Sequence, residues 1–94
     1  MAKHLRIIGY QQITDLSAAV GLTPASGQVN YAAFDVEGAS VRYRADGTDP
    51  TSSVGGRMLR DGQYYEDGDL GKLRFIEETA GAILNITYYR RSEA

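Results

Sequence analysis

The chain contains no cysteine, no tryptophan and a single histidine among its 94 residues. Without cysteine there can be no disulfide, zinc–thiolate site or thiol nucleophile. The lone His4 lies close to one end of the sequence, with nothing around it to suggest the carboxylate and nucleophile that a histidine-based triad requires. A surface position explains it. Net basic charge is also lacking: ten Lys and Arg stand against twelve Asp and Glu, a formal charge of −2. The phosphate neutralisation that drives nucleic-acid binding therefore has no global footprint, and no nucleic-acid partner is expected. No apolar run reaches the ~18 residues of a membrane-spanning helix, so no membrane partner is expected. Lys3, His4 and Arg6 are followed too soon by Gln11 and Gln12 to form the apolar region of a signal peptide. The Asn85-Ile86-Thr87 sequon is accordingly read as incidental.

What the chain does have is the composition of a folded domain. Hydrophobic residues make up 43% and charged residues 23%, which argues against disorder, and the length suits one domain over residues 1–94. Eleven glycines punctuate short β-branched and aromatic runs, the pattern of an all-β sandwich or small barrel. Strands are expected over 5–10, 28–36, 39–44, from Met58 and Leu59, over 63–66, 72–78 and 82–90. That makes about seven short strands in an antiparallel β-sandwich, with jelly-roll-like and immunoglobulin-like topologies both open. In 39–44, Val41 and Tyr43 alternate with Arg42 and Arg44, so the apolar pair faces inward and the arginines outward. In 82–90, Leu84, Ile86 and Tyr88 share one face and Asn85, Thr87 and Tyr89 the other; Leu73 and Phe75 share a face in 72–78. Leu16, Ala19 and Val20 have helical spacing, but Gly21 and Pro24 end the stretch early, which predicts a loop or at most one helical turn. Thr23 to Gly27 reads as a turn, residues 46–56 as an ordered surface loop, and Asp61-Gly62 as a hairpin turn.

Chemistry-bearing residues are few. Glu66, Asp67 and Asp69 surround Gly68, and Asp46 and Asp49 flank Gly47, but neither group has EF-hand spacing, and turn-forming Asp on a solvated loop explains both. Paired carboxylates also serve glycoside hydrolysis, but the sequence points to no aromatic-lined cleft. Gly55-Gly56-Arg57 lacks the Gly-Lys-Ser/Thr ending of a phosphate loop and marks positive φ or close backbone approach instead. Neither an enzyme nor a cofactor is expected. The arginine pairs Arg42/Arg44, with Arg60, and Arg90/Arg91 suit a solvated face or a protein interface. Seven tyrosines are spread over nearly every strand. Alternation requires Tyr64/Tyr65 and Tyr88/Tyr89 each to leave one ring outside the core. Such rings suit interfaces, sugar stacking or simple β-propensity.

From Val41 onward, Arg42-Tyr43-Arg44, Asp46-Gly47-Thr48, Pro50-Thr51, Gly55, Gly68-Asp69-Leu70, Arg74-Phe75-Ile76, Gly81-Ala82 and Leu84 to Tyr89 follow one another in an order that resembles small virion proteins of tailed bacteriophages. Residues 41–89 carry the resemblance; Leu16, Leu22, Pro24 and Gly27 fit loosely, while Gly56-Arg57 and Tyr64-Tyr65 depart from the usual apolar–polar pattern. The resemblance implies a β-sandwich in a repeated assembly, located in the virion and assembled in the host cytoplasm, without catalysis or cofactor. The role expected is a capsid decoration or cement subunit bound to the major capsid protein and to copies of itself, as a trimer or other symmetric oligomer. A head–tail joining, tail or fibre-base subunit is the alternative within the class, and a carbohydrate-binding adhesion module the alternative outside it. The interface residues expected are Arg42, Arg44, Asp46, Asp49, Pro50, Arg57, Arg60, Tyr64, Tyr65 and Tyr89, in the loop 46–56, the hairpin 60–66 and the terminal segments.

Overall fold

A computed structural model describes residues 3–23, 31–68 and 70–93, with side chains described from Arg6 to Arg90 within those ranges. Pro24, the rest of the turn expected to Gly27, the start of the strand expected from Gln28, and Asp69 lie outside the described residues. Among the described residues there are eight strands: β1 Lys3–Ile13, β2 Val20–Gly21, β3 Tyr31–Glu37, β4 Val41–Arg44, β5 Gly56–Met58, β6 Gln63–Asp67, β7 Arg74–Glu77 and β8 Ile83–Glu93. One turn of 3-10 helix covers Leu70–Lys72.

The strands form two antiparallel four-stranded sheets, ordered β1-β8-β3-β6 and β2-β7-β4-β5. The pairs β1/β8, β2/β7, β3/β6 and β4/β5 are nested one inside the next. Apart from the β4–β5 connection, each link between successive strands crosses from one sheet to the other. A long hairpin rolled up in this way is a jelly roll, so the immunoglobulin-like alternative is set aside and the all-β sandwich stands.

The alternation visible in the sequence builds the core. Ala32, Phe34 and Val36 from β3 and Leu84, Ile86 and Tyr88 from β8 face Val41 of β4, Met58 of β5, and Leu73 and Phe75 at β7; all are buried. Phe34 and Phe75 meet across the two sheets with ring centroids 5.5 Å apart. Leu16, fully buried, closes one end of the sandwich, and its carbonyl accepts from Glu77 N at 3.0 Å. The segment around Leu16 is a loop and not a helical turn. Asp15 accepts from Ser17 N at 3.3 Å and Ser17 Oγ at 2.7 Å, a local bond that competes with helix, and Val20 then pairs with Phe75 in β2.

The turn expected at Asp61-Gly62 exists, but it is not a hairpin. Asp61 has φ 65° and Gly62 N bonds Leu59 O at 3.0 Å. The strands it joins, β5 and β6, belong to different sheets. Val36 clamps this corner, accepting from Asp61 N at 2.7 Å and donating to Gly62 O at 3.2 Å, so both flanking strands pair with earlier strands and not with each other. Beyond Tyr89, β8 pairs only with β1 among the described residues, leaving Lys3–Arg6 and Arg90–Glu93 as a two-stranded ribbon.

Candidate functional site

The outer faces of the two sheets differ in kind. On the second sheet, charged side chains neutralise one another. Glu78 sits between Arg57, whose Nε and Nη2 donate at 2.6 and 2.9 Å, and Arg42, whose Nε lies 2.7 Å from Oε2. That last contact is an ion pair without hydrogen-bond alignment. The two guanidinium groups, Arg57 foremost, hold the Glu78 carboxyl below its usual range. Arg44 binds Asp46 through two bonds, at 3.1 and 2.6 Å, and this pair, with the Thr48 amide, lowers the Asp46 pKa from the usual 3.8 to about 2. Arg74 Nε donates to Asp49 at 2.8 Å. Two of the expected loop carboxylates are thus already engaged by arginine. Among the described residues no group of three His, Asp or Glu side chains has the arrangement of a metal site.

The outer face of the first sheet carries an aromatic patch. Pairing sets its outward residues in rows across the strands. The first row is Ile7, Tyr89, Tyr31 and Asp67; the second is Tyr10, Thr87, Ala33 and Tyr65; the third is Gln12, Asn85, Asp35 and Gln63. Tyr10 is 73% exposed, Tyr65 61% and Ile7 49%. Tyr31 stacks on Tyr65 with centroids 6.1 Å apart and meets Tyr89 edge-on at 5.7 Å. A bulge between Ile7 and Gly9 lets Ile7 and Tyr10 both face outward while Ile8 packs on the core. The third row is polar: Gln12 donates to Asn85 Oδ1 at 2.8 Å, and Asn85 donates to Glu37 Oε2 at 2.5 Å. A shallow groove of about 200 Å³ runs past Tyr10, Gln12, Asn85 and Thr87.

The expected interface residues are divided between these two surfaces. Arg42, Arg44, Asp46, Asp49 and Arg57 lie on the second sheet and its loop, and Pro50 is buried. Tyr65 and Tyr89 lie on the first sheet, on the opposite side of the sandwich. Arg60 sits at the corner beside Asp61, 3.5 Å away. Tyr64 packs on the core, and its hydroxyl accepts from Leu59 N at 2.8 Å. Alternation leaves one ring of each Tyr pair outside, and Tyr65 and Tyr89 are those rings. It does not by itself join Ile7, Tyr10 and Tyr31 to them. For Tyr31 a signal existed, since Tyr31, Ala33, Asp35 and Glu37 alternate with the apolar set Ala32, Phe34 and Val36. For Ile7 and Tyr10 the bulge breaks the period of two, and alternation alone cannot place both outside.

Comparison with protein-family models, curated proteins and solved structures returns no match.

Proposed function

We propose that the chain is a structural subunit of a tailed-bacteriophage virion that acts by binding alone, most concretely as a capsid decoration or cement protein. The observation that carries this reading is the bare aromatic face of the first sheet. Clustered exposed tyrosines with an isoleucine among them form the kind of patch that soluble proteins use for contact with other proteins. The jelly-roll topology agrees by analogy, being common in viral capsid domains, and the succession of motifs from Val41 to Tyr89 resembles small phage virion proteins. On this reading many copies bridge neighbouring major capsid subunits and add contact area to the shell, and the ordered loop 46–56 offers a second surface for the shell itself. Quantitative mass spectrometry of purified particles tests it. One copy per capsid subunit, or one per three, is expected. A dozen copies or fewer would move the subunit to the neck or tail, and complete absence from particles would overturn the virion assignment.

A second reading has one observation in its favour. The most exposed ring, Tyr10, borders a groove lined also by Gln11, Ile86, the amides of Gln12 and Asn85 and the hydroxyl of Thr87. A ring face with convergent amide groups is the chemistry of a saccharide subsite. Glycan-array binding lost in Tyr10→Ala would support a carbohydrate-binding role, and no binding to any glycan would remove it.

A further inference from the structure

We infer that the aromatic face of the first sheet is an isologous interface, covered by the same face of a second copy turned end for end. The second row is flat at its centre, where Ala33 and Thr87 stand side by side between Tyr10 and Tyr65. The rows on either side of it differ in chemistry. Toward the ribbon lie Ile7, Tyr89 and Tyr31, with Asp67 at the β6 edge; away from it lie Gln12, Asn85, Asp35 and Gln63, then Glu37, with Asp61 at the adjoining corner.

A two-fold axis lying in the interface along the second row makes this face its own complement. Residues two positions to one side of Ala33 and Thr87 then oppose residues two positions to the other side. Tyr31 lies over Asp35 of the second copy, and Tyr89 over Asn85. The Tyr89 hydroxyl thereby meets an amide, the pairing that a buried phenol needs. The Asp35 carboxylate has no hydrogen-bond or ion-pair partner among the described residues.

Charge favours the same orientation. The ribbon segments 3–7 and 89–93 contain Lys3, Arg6, Arg90 and Arg91 against Glu93, a formal +3, in a chain whose total is −2. Arg6 and Arg90 are direct cross-strand partners, and like charges so placed repel. Arg42, Arg44, Arg57, Arg60 and Arg74 each have a carboxylate within 4 Å, whereas Arg6 and Arg90 have none among the described residues. Alternation roots both on the side away from Tyr89, but both ribbon edges are open there among the described residues. End-for-end docking brings each ribbon over the Asp35, Glu37 and Asp61 end of the other copy, supplying the missing negative charge.

The size is adequate. Four strands make a face about 19 Å wide, and three rows with their side chains span about 20 Å. With side-chain relief this is on the order of 600–800 Å² of accessible surface per copy, near the roughly 800 Å² of a standard interface. The inference assigns to self-association the face that carries the virion reading, yet the two fail separately, because purified protein alone tests it. Among the symmetric oligomers the resemblance implies, it takes a dimer in place of the trimer, and leaves the loop 46–56 free for other contacts.

Light scattering coupled to gel filtration, with sedimentation equilibrium at micromolar to submillimolar concentration, is the test. The expected mass is twice the 10.3 kDa chain. Thr87→Arg and Ala33→Arg each set two like charges against each other on the axis, which costs several kcal/mol; dimerisation is expected to weaken at least about 100-fold. Circular dichroism and the thermal midpoint verify that these variants fold, and Tyr65→Ala, a truncation of an exposed ring, is expected to weaken the dimer should either Arg variant not fold. Arg90→Glu is expected to weaken association and lower its salt sensitivity, and adding Glu37→Lys to the same chain to restore it. A monomer throughout the concentration range, a mass of three or more chains, a dimer unchanged by both Arg substitutions, or an Arg90→Glu variant indistinguishable from wild type would each overturn the proposal.

Discussion

Gly38 and Gly81 occupy two turns that touch at one end of the sandwich, and replacing each with alanine separates two kinds of cost. Both have positive φ, +80° and +100°. A Cβ in that region costs about 1–2 kcal/mol for an L residue. At Gly81 nothing lies within 4 Å of the added atom, so that conformational cost is the whole of the expected effect. At Gly38 the same atom falls 2.1 Å from the Gly81 carbonyl oxygen and 3.2 Å from its carbon. The obstacle is backbone, and relief requires one turn to move away by more than an ångström, dragging Ala39 and Ala82 out of their buried sites. Overpacking of this kind adds about 1–3 kcal/mol, for a total of roughly 4 kcal/mol in Gly38→Ala. In a domain of this size, whose whole stability is about 5–10 kcal/mol, that lowers the melting temperature by roughly 15–30 °C. Gly81→Ala lowers it by about a third as much. Thermal and urea denaturation followed by circular dichroism measure both. Equal shifts for the two variants would refute the reasoning, since the conformational term is shared and only the contact differs.

Tyr88→Phe keeps the buried ring but removes the hydroxyl that donates to Gln11, and should cost about 1 kcal/mol in urea denaturation. In the wild type, burial raises the Tyr88 pKa to about 12. Because the folded value lies above the unfolded one, the associated stability is complete below pH 10 and declines as pH rises toward 12; alkaline absorbance titration should show a late tyrosine that Tyr88→Phe removes. Asp46 and Glu78 have the opposite sign: their folded pKa values are depressed, so their contribution is present above the usual carboxylate range and is lost as pH falls, for Asp46 from 3.8 toward about 2. Asp46→Asn with Glu78→Gln should flatten the fall of the melting temperature over that interval. Phe34→Ala, which empties one side of the contact between the sheets, should cost about 3–5 kcal/mol by urea denaturation.

Where structure depends on neighbours in sequence, it was legible. The faces of β8 follow from strict alternation between Leu84 and Tyr89. The positive φ or close approach expected at Gly55-Gly56 is there, with φ +134° at Gly55 and a Cβ on Gly56 only 2.6 Å from the Tyr43 ring. Where structure depends on which strands meet, it was not. Glu78 pairs with both Arg42 and Arg57 because β4 is flanked by β5 and β7, and nothing local in Arg42-Tyr43-Arg44 indicates a carboxylate so far along the chain. The same holds for the aromatic face, which draws Ile7, Tyr31, Tyr65 and Tyr89 from four strands. Pro50 looked like a surface-loop residue and is buried, because the loop folds back with Gly55 against it.

The nested pairing of the strands also sets an order of events in time. β4 and β5 are neighbours and can meet early, whereas β1 must wait for β8, with Lys3 opposite Glu93. At ribosomal speeds of about 5–20 residues per second, the first strand spends roughly 4–18 seconds without the partner that completes its sheet. Contacts so distant in sequence also slow folding once synthesis is complete. The Ile7–Gly9 bulge and the Lys3 and Arg6 charges fall on this waiting strand, and both are features that discourage an unpaired edge from joining the wrong chain.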